Sequence, residues 1–151
     1  MIELGYNYRL TDIQAALGLS QLKKLDKFLS RRRKIALQYT KAFSSIDEII
    51  LPPHQNLAGH AWHIFPIQFR RLNRNLVYDK LLKRGIKCQV HYLPIHLQPY
   101  YQKNFGYQRG NFPQAEKYFD RCLTIPLYPS LTDEMVKKII LSIQAVVGRG
   151  T

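Results

Sequence analysis

The chain has 151 residues, 46% of them hydrophobic, with 23 lysines and arginines against 10 acidic residues and a formal net charge of +13. That length suits a domain with its own core, and the apolar fraction excludes wholesale disorder. No apolar run reaches the roughly 18 residues of a membrane span, and Met1 to Asn7 lack the basic-then-apolar order of a signal peptide.

Thr11-Asp12-Ile13-Gln14 reads as a capping box, with the Thr11 hydroxyl accepting from the Gln14 N–H and the Gln14 side chain reaching back. Apolar residues follow at Ile13, Ala16, Leu17, Leu22, Leu25, Phe28, Leu29, Ile35, Ala36, Tyr39 and Phe43, mostly three or four apart. The spacing predicts one helix from Thr11 to about Ala42, roughly 45–50 Å long at 1.5 Å per residue. Such a helix exceeds a small domain, so it either kinks or bridges two domains. Pro52 and Pro53 open a loop to Gly59. His60 to Phe69 reads as a strand whose Pro66 points to an edge or a bulge. Asn75 to Arg84 reads as a helix stopped by Gly85, and Ile86 to Val90 as a short strand. His91 to Gly110 is loop-like, Phe112-Pro113 opens a helix to about Cys122, and Leu123 to Leu127 forms a third strand. Thr132 caps a last amphipathic helix through Val147. The order predicts an α+β fold: a long N-terminal helix, then a small, mainly antiparallel sheet with helices on one side.

Composition and spacing alone carry no chemistry. Gly-rich phosphate loops are absent, and Asp26, Asp79, Glu116, Asp120, Asp133 and Glu134 fall on predicted helix surfaces. The histidines are His54, His60, His63, His91 and His96, and His91 with His96 lacks an acidic or cysteine neighbour to complete a metal site, so no metal is expected. Cys88 and Cys122 match no metal spacing, which fits a reduced, cytoplasmic setting. The charge attracts polyanions, but the basic residues are scattered apart from Arg31 to Lys34, read as a solvated helix face, and Arg70-Arg71. No nucleic-acid-binding motif accompanies them, so a nucleic-acid partner is the weakest reading.

The segment Gly5-Tyr6-Asn7-Tyr8-Arg9-Leu10-Thr11-Asp12-Ile13-Gln14-Ala15-Ala16-Leu17-Gly18 changes the picture. It resembles the hallmark of the sugar aminotransferase family named for DegT, DnrJ, EryC and StrS. Gln21-Leu22, Leu25-Asp26, Val90-His91-Tyr92 with Pro94 and His96, Phe112-Pro113 with Ala115-Glu116, and Leu123 to Leu127 continue the resemblance in order. Within the family, His96 to Tyr107 is most similar to the branch that aminates a UDP-linked 4-keto sugar in the pseudaminic acid pathway. The resemblance implies a fold-type I, homodimeric enzyme that uses pyridoxal 5'-phosphate (PLP), with L-glutamate and a UDP-sugar as substrates. It implies a motif loop and linker helix over 1–44 and a small C-terminal α+β domain over 45–151. The family's PLP-binding lysine and ring-nitrogen aspartate lie upstream, in a large domain that is absent here. No lysine of this chain matches that position, so the chain supplies no catalytic residue and is expected to be inactive alone. Two alternatives stay open: a non-catalytic remnant that binds a nucleotide sugar or dimerises, and a transaminase for another nucleotide sugar.

The same resemblance assigns roles. Asn7 is expected to reach the PLP phosphate of the partner subunit, where an amide donor suits a phosphate oxygen. Its bland alternative is a turn residue before a helix. Arg9, Tyr8, His91, Tyr92 and His96 are expected to line the substrate side. Arg9 has a forked donor fit for a carboxylate or phosphate. A cation is also poorly placed at the positive end of a helix dipole, which favours a role for Arg9 beyond solvation.

Overall fold

The computed structural model describes residues 5–53 and 59–148. His54 and residues 1–4 therefore lie outside the described residues. Thr11 opens α1 (Asp12–Leu22) through the expected capping box: the Gln14 N–H donates to Thr11 Oγ1 at 3.3 Å, and the Thr11 N–H donates to Gln14 Oε1 at 3.0 Å. The single long helix does not form. α1 ends at Lys23 and Lys24, and α2 runs Leu25–Phe43. The Lys24 N–H turns to the Gln21 carbonyl three residues back, and Lys24 itself sits at φ −101, ψ −5. This tightened, 3-10-type closure breaks the i→i−4 ladder without a proline or glycine, so the hydrophobic spacing runs across it unmarked. The two helices then differ in surroundings. α1 has no buried residue, whereas α2 buries Ile35, Ala36, Tyr39 and Phe43 on one face.

The sheet has three strands in the order β1 (Ile49–Ile50), β2 (Phe65–Phe69) and β3 (Cys122–Ile125), all antiparallel. β1 is too short to show a period and escaped the sequence reading. β2 starts five residues later than expected. It is the middle strand, yet Pro66 still obeys the edge rule. Pro66 pairs with Thr124, whose N–H and carbonyl both bond outward to Gln89, at 2.8 and 3.0 Å. Pro66 therefore stands opposite Thr124 in a non-hydrogen-bonded pair, and its nitrogen faces the β1 side. β1 pairs only with Phe69 and Gln68, so no ladder donor is missed there.

The expected strand Ile86–Val90 is reduced to the single bridge Gln89–Thr124. Extending that antiparallel register pairs Lys87 with Pro126, which has no N–H, and the Pro126 carbonyl already accepts from the Tyr39 hydroxyl at 2.8 Å. In the other direction lies Cys122, whose N–H caps the preceding helix through the Tyr118 carbonyl. The ladder is blocked on both sides.

Phe65, Ile67 and Phe69 of β2 and Leu123 and Ile125 of β3 face a core closed by α2, by Val77 and Leu81 of α3 (Arg74–Leu82), and by Val136, Ile139, Ile143 and Val146 of α6 (Asp133–Val147). Each such side chain removed from water contributes roughly 1.5–3 kcal/mol. Asn73 and Thr132 cap α3 and α6 with their side chains, and Gly85 closes the turn after α3 at φ +76. The stretch His91–Gly110, expected as loop, contains a 3-10 turn at Ile95–Leu97 and α4 (Pro99–Phe105); α5 (Pro113–Arg121) follows as expected.

Two basic clusters are structural. Arg31 to Arg33 are half-buried rather than solvated. Arg32 donates to the carbonyls of Trp62, His63 and Leu127 at 2.9, 3.0 and 3.3 Å, and Arg31 to the Leu131 carbonyl and to Asp133. Buried Glu48 accepts from the N–H groups of Arg71 and Leu72 and from Arg71 Nε, fastening the end of β2 beside β1.

Candidate functional site

Gly5 to Arg9 precede the capping box as an exposed arm, turned at Asn7 where the Tyr8 N–H donates to the Tyr6 carbonyl at 3.0 Å. The Tyr6 and Tyr8 rings stack at 5.3 Å. Between and after them, the Asn7 amide and the Arg9 guanidinium have no hydrogen-bond partner among the described residues. No acidic side chain lies in Gly5–Arg9. The arm thus presents unpaired donors and a full positive charge, a set that suits a phosphate or carboxylate oxygen.

His91 and Tyr92 follow the Gln89–Thr124 bridge, which places them at the outer edge of β3. His91 Nδ1 shares a 2.9 Å hydrogen bond with Thr124 Oγ1, which holds the ring against β3. Its Nε2 has no partner among the described residues. His91 stands between two clefts. One holds Arg74, Asn75, Tyr78, Gln89 and Tyr92, and the other His63, Lys87, Thr124 and Tyr128. Neither cleft is lined by an acidic residue, so both favour anionic ligands. Tyr92 is 75% exposed and packs edge-on against His91.

His96 sits apart from these clefts. It is buried, with Nε2 2.8 Å from Glu116 Oε1 and its ring 4.8 Å from that of Phe112. Glu116, expected on a helix surface, is buried as well. It also accepts from the Gly110 N–H at 2.8 Å and the Phe112 N–H at 3.3 Å. Burial alone raises a carboxyl, but the Gly110 N–H, His96 and the Phe112 N–H outweigh it and hold Glu116 below the ordinary carboxylate range. Glu116 therefore ties the 3-10 turn after Tyr92 to the start of α5. The cysteines are core residues: burial pushes the Cys88 thiol up to about 12 and raises that of Cys122.

His91 and Tyr92 share one cleft; Asn7, Tyr8 and Arg9 share another surface; the two sets do not meet within the described residues. Thr124, Glu116 and Arg32 were missed by the sequence reading. Only Glu116 left a signal there, as an acid in the first turn after Phe112-Pro113, and that position normally indicates a favourable helix dipole.

The profile of the DegT/DnrJ/EryC1/StrS aminotransferase family matches residues 1–144. The spore coat polysaccharide biosynthesis protein SpsC of Bacillus subtilis is 38% identical over 148 residues, covering 95% of this chain and 38% of that protein. Among solved structures, the PLP form of Spr1654 from Streptococcus pneumoniae superposes with a TM-score of 0.89 at 32% identity, covering 99% of this chain and 39% of that one. Helicobacter pylori PseC, an aminotransferase involved in the biosynthesis of pseudoaminic acid, superposes with a TM-score of 0.85 at 32% identity, covering 97% and 40%. The chain thus spans about two fifths of the length of these relatives.

Proposed function

The chain belongs to the DegT/DnrJ/EryC1/StrS aminotransferase family, and on that premise we propose that it is the C-terminal part of a PLP-dependent sugar aminotransferase. In this reading residues 1–44 link to a large PLP-binding domain and 45–151 form the small domain. The proposed reaction moves an amino group from L-glutamate to the 4-keto carbon of a UDP-sugar, giving the amino-altrosamine sugar of the pseudaminic acid pathway. The family match over 1–144 carries this reading, and the PLP form of a structural neighbour supports the cofactor.

The residues fit PLP. Its phosphate needs donors, and the arm offers an unpaired amide at Asn7 and an unpaired guanidinium at Arg9 with no carboxylate among Gly5–Arg9. When bound, PLP supplies an electron sink for amino transfer. Asn7 would donate to a phosphate oxygen of the cofactor held by the partner subunit. Arg9 binds the carboxylate of glutamate or a phosphate of the nucleotide through its fork. His91, oriented by Thr124, would present Nε2 to the sugar nucleotide, with the Tyr92 ring edge-on beside it. Glu116 holds His96 and so steadies the turn that follows Tyr92.

A shared site is tested by mixing. The intact homodimeric enzyme is made in two inactive forms, one lacking the PLP-binding lysine and one carrying Asn7→Ala and Arg9→Ala. Mixed dimers should regain part of the activity, because one of their two sites is complete. PLP retention by the Asn7→Ala form should fall by about 1–3 kcal/mol, the cost of leaving an acceptor unpaired. Heterodimers that form yet stay inactive contradict the reading.

A further inference from the structure

The blocked strand leaves a hollow. Because Pro126 cannot pair with Lys87, residues Gly85–Lys87 splay from Pro126–Tyr128, and α6 closes the gap from below. The space is about 340 Å³ and is lined by Ile86, Leu131, Met135 and Ile139, with Lys87 and Lys138 at its rim and Tyr128 beside them. Ile86, Leu131 and Ile139 are at most 5% exposed, whereas Met135 is 47% exposed, so the floor is rigid core and one wall is a flexible thioether. Lys138 Nζ reaches across the turn to within 3.9 Å of the point where a Cβ on Gly85 would stand. Neither Lys87 nor Lys138 has an ion-pair or hydrogen-bond partner among the described residues. The Lys87 N–H, deprived of its ladder acceptor, is unpaired as well. No acidic residue lines the hollow. On the far side of Lys138, Glu134 shares a surface with Arg84 and Lys137, which outnumber it.

An apolar floor of this volume ringed by unpaired donors is the composition of a small-molecule site. We propose that this hollow binds a small amphiphilic anion: a flat apolar body seated on Ile86, Leu131, Met135 and Ile139, with its carboxylate or phosphate between Lys87 and Lys138. Charge complementarity selects the anion, since Lys87 and Lys138 both line the hollow and no carboxylate does. The site is independent of the aminotransferase reading.

The test is an NMR titration of the chain with 1-naphthoate, and with the uncharged 1-naphthalenemethanol as its control. Naphthoate should saturate and shift the amides of Gly85, Lys87, Tyr128, Leu131, Met135 and Lys138 together. Lys87→Met with Lys138→Met should weaken it by about tenfold, two exposed ion pairs' worth, and leave the alcohol unchanged. A third variant, Met135→Trp, fills the hollow and should abolish saturable binding by both compounds. Equal binding of acid and alcohol, unchanged affinity in the double lysine variant, or shifts gathered on α1 instead would overturn the proposal. So would concentration-dependent shifts of the same amides without ligand, which mean a second copy of the chain occupies the hollow.

Discussion

Single side chains with several partners carry more of this fold than their exposure suggests. Arg32 ties two segments together by donating to the carbonyls of Trp62 and His63 in one and Leu127 in the other. Arg32→Ala should cost about 1–3 kcal/mol in urea unfolding, since two of those contacts are half-buried and lose their donor. Arg32→Lys should recover only part, because the shorter lysine stem sets its ammonium back from the one point where Arg32 Nη1 meets all three carbonyls. Glu116 makes a pH-dependent counterpart. Its folded pKa is lowered, so its stabilising effect is complete above the unfolded carboxylate value of about 4.3 and is lost as pH falls through the lower folded value. Amide exchange at Gly110 and Phe112 should therefore stay protected at pH 6 and lose protection in that acid range. In Glu116→Gln the acid step should disappear. Equal protection across the whole range in the native protein would show that the carboxylate does not hold the loop.

At the scale of elements, what could be read from residue order was whatever has a local cause. The Thr11 and Thr132 caps, the Gly85 stop and the Pro113 start depend on neighbours within four residues, and all four appear where expected. The failures have non-local causes. Nothing near Ile86–Val90 shows that its ladder partner is Pro126, nor that Tyr39 has already taken the Pro126 carbonyl. Nothing near Lys23 marks the helix break. The exposed face of α1 makes its own prediction. Ile13 is 84% and Leu17 61% exposed, and they lie one turn apart. The chain should self-associate through this face as concentration rises. Ile13→Lys with Leu17→Glu should remove that association in sedimentation velocity while leaving the melting temperature unchanged, because no α1 residue is buried. A fall in melting temperature would mean that α1 packs on its own chain.

At the scale of the whole molecule, the α+β architecture and the family were legible because the Gly5–Gly18 segment and the later motifs come in order along almost the full chain. The site was legible only in parts. The Asn7–Arg9 arm and the His91–Tyr92 cleft do not converge within the described residues, and sequence order says nothing of what joins them. The excess of positive charge fits both surfaces, since the clefts beside His91 and the arm each lack acidic lining. The most direct test of the central claim follows the amino group itself. The intact enzyme is supplied with PLP, ¹⁵N-labelled glutamate and a UDP-linked 4-keto sugar, and the product is read by mass spectrometry. The account predicts a labelled amino group on the sugar that requires both PLP and glutamate. A folded, PLP-loaded enzyme that leaves every such sugar unlabelled would contradict it.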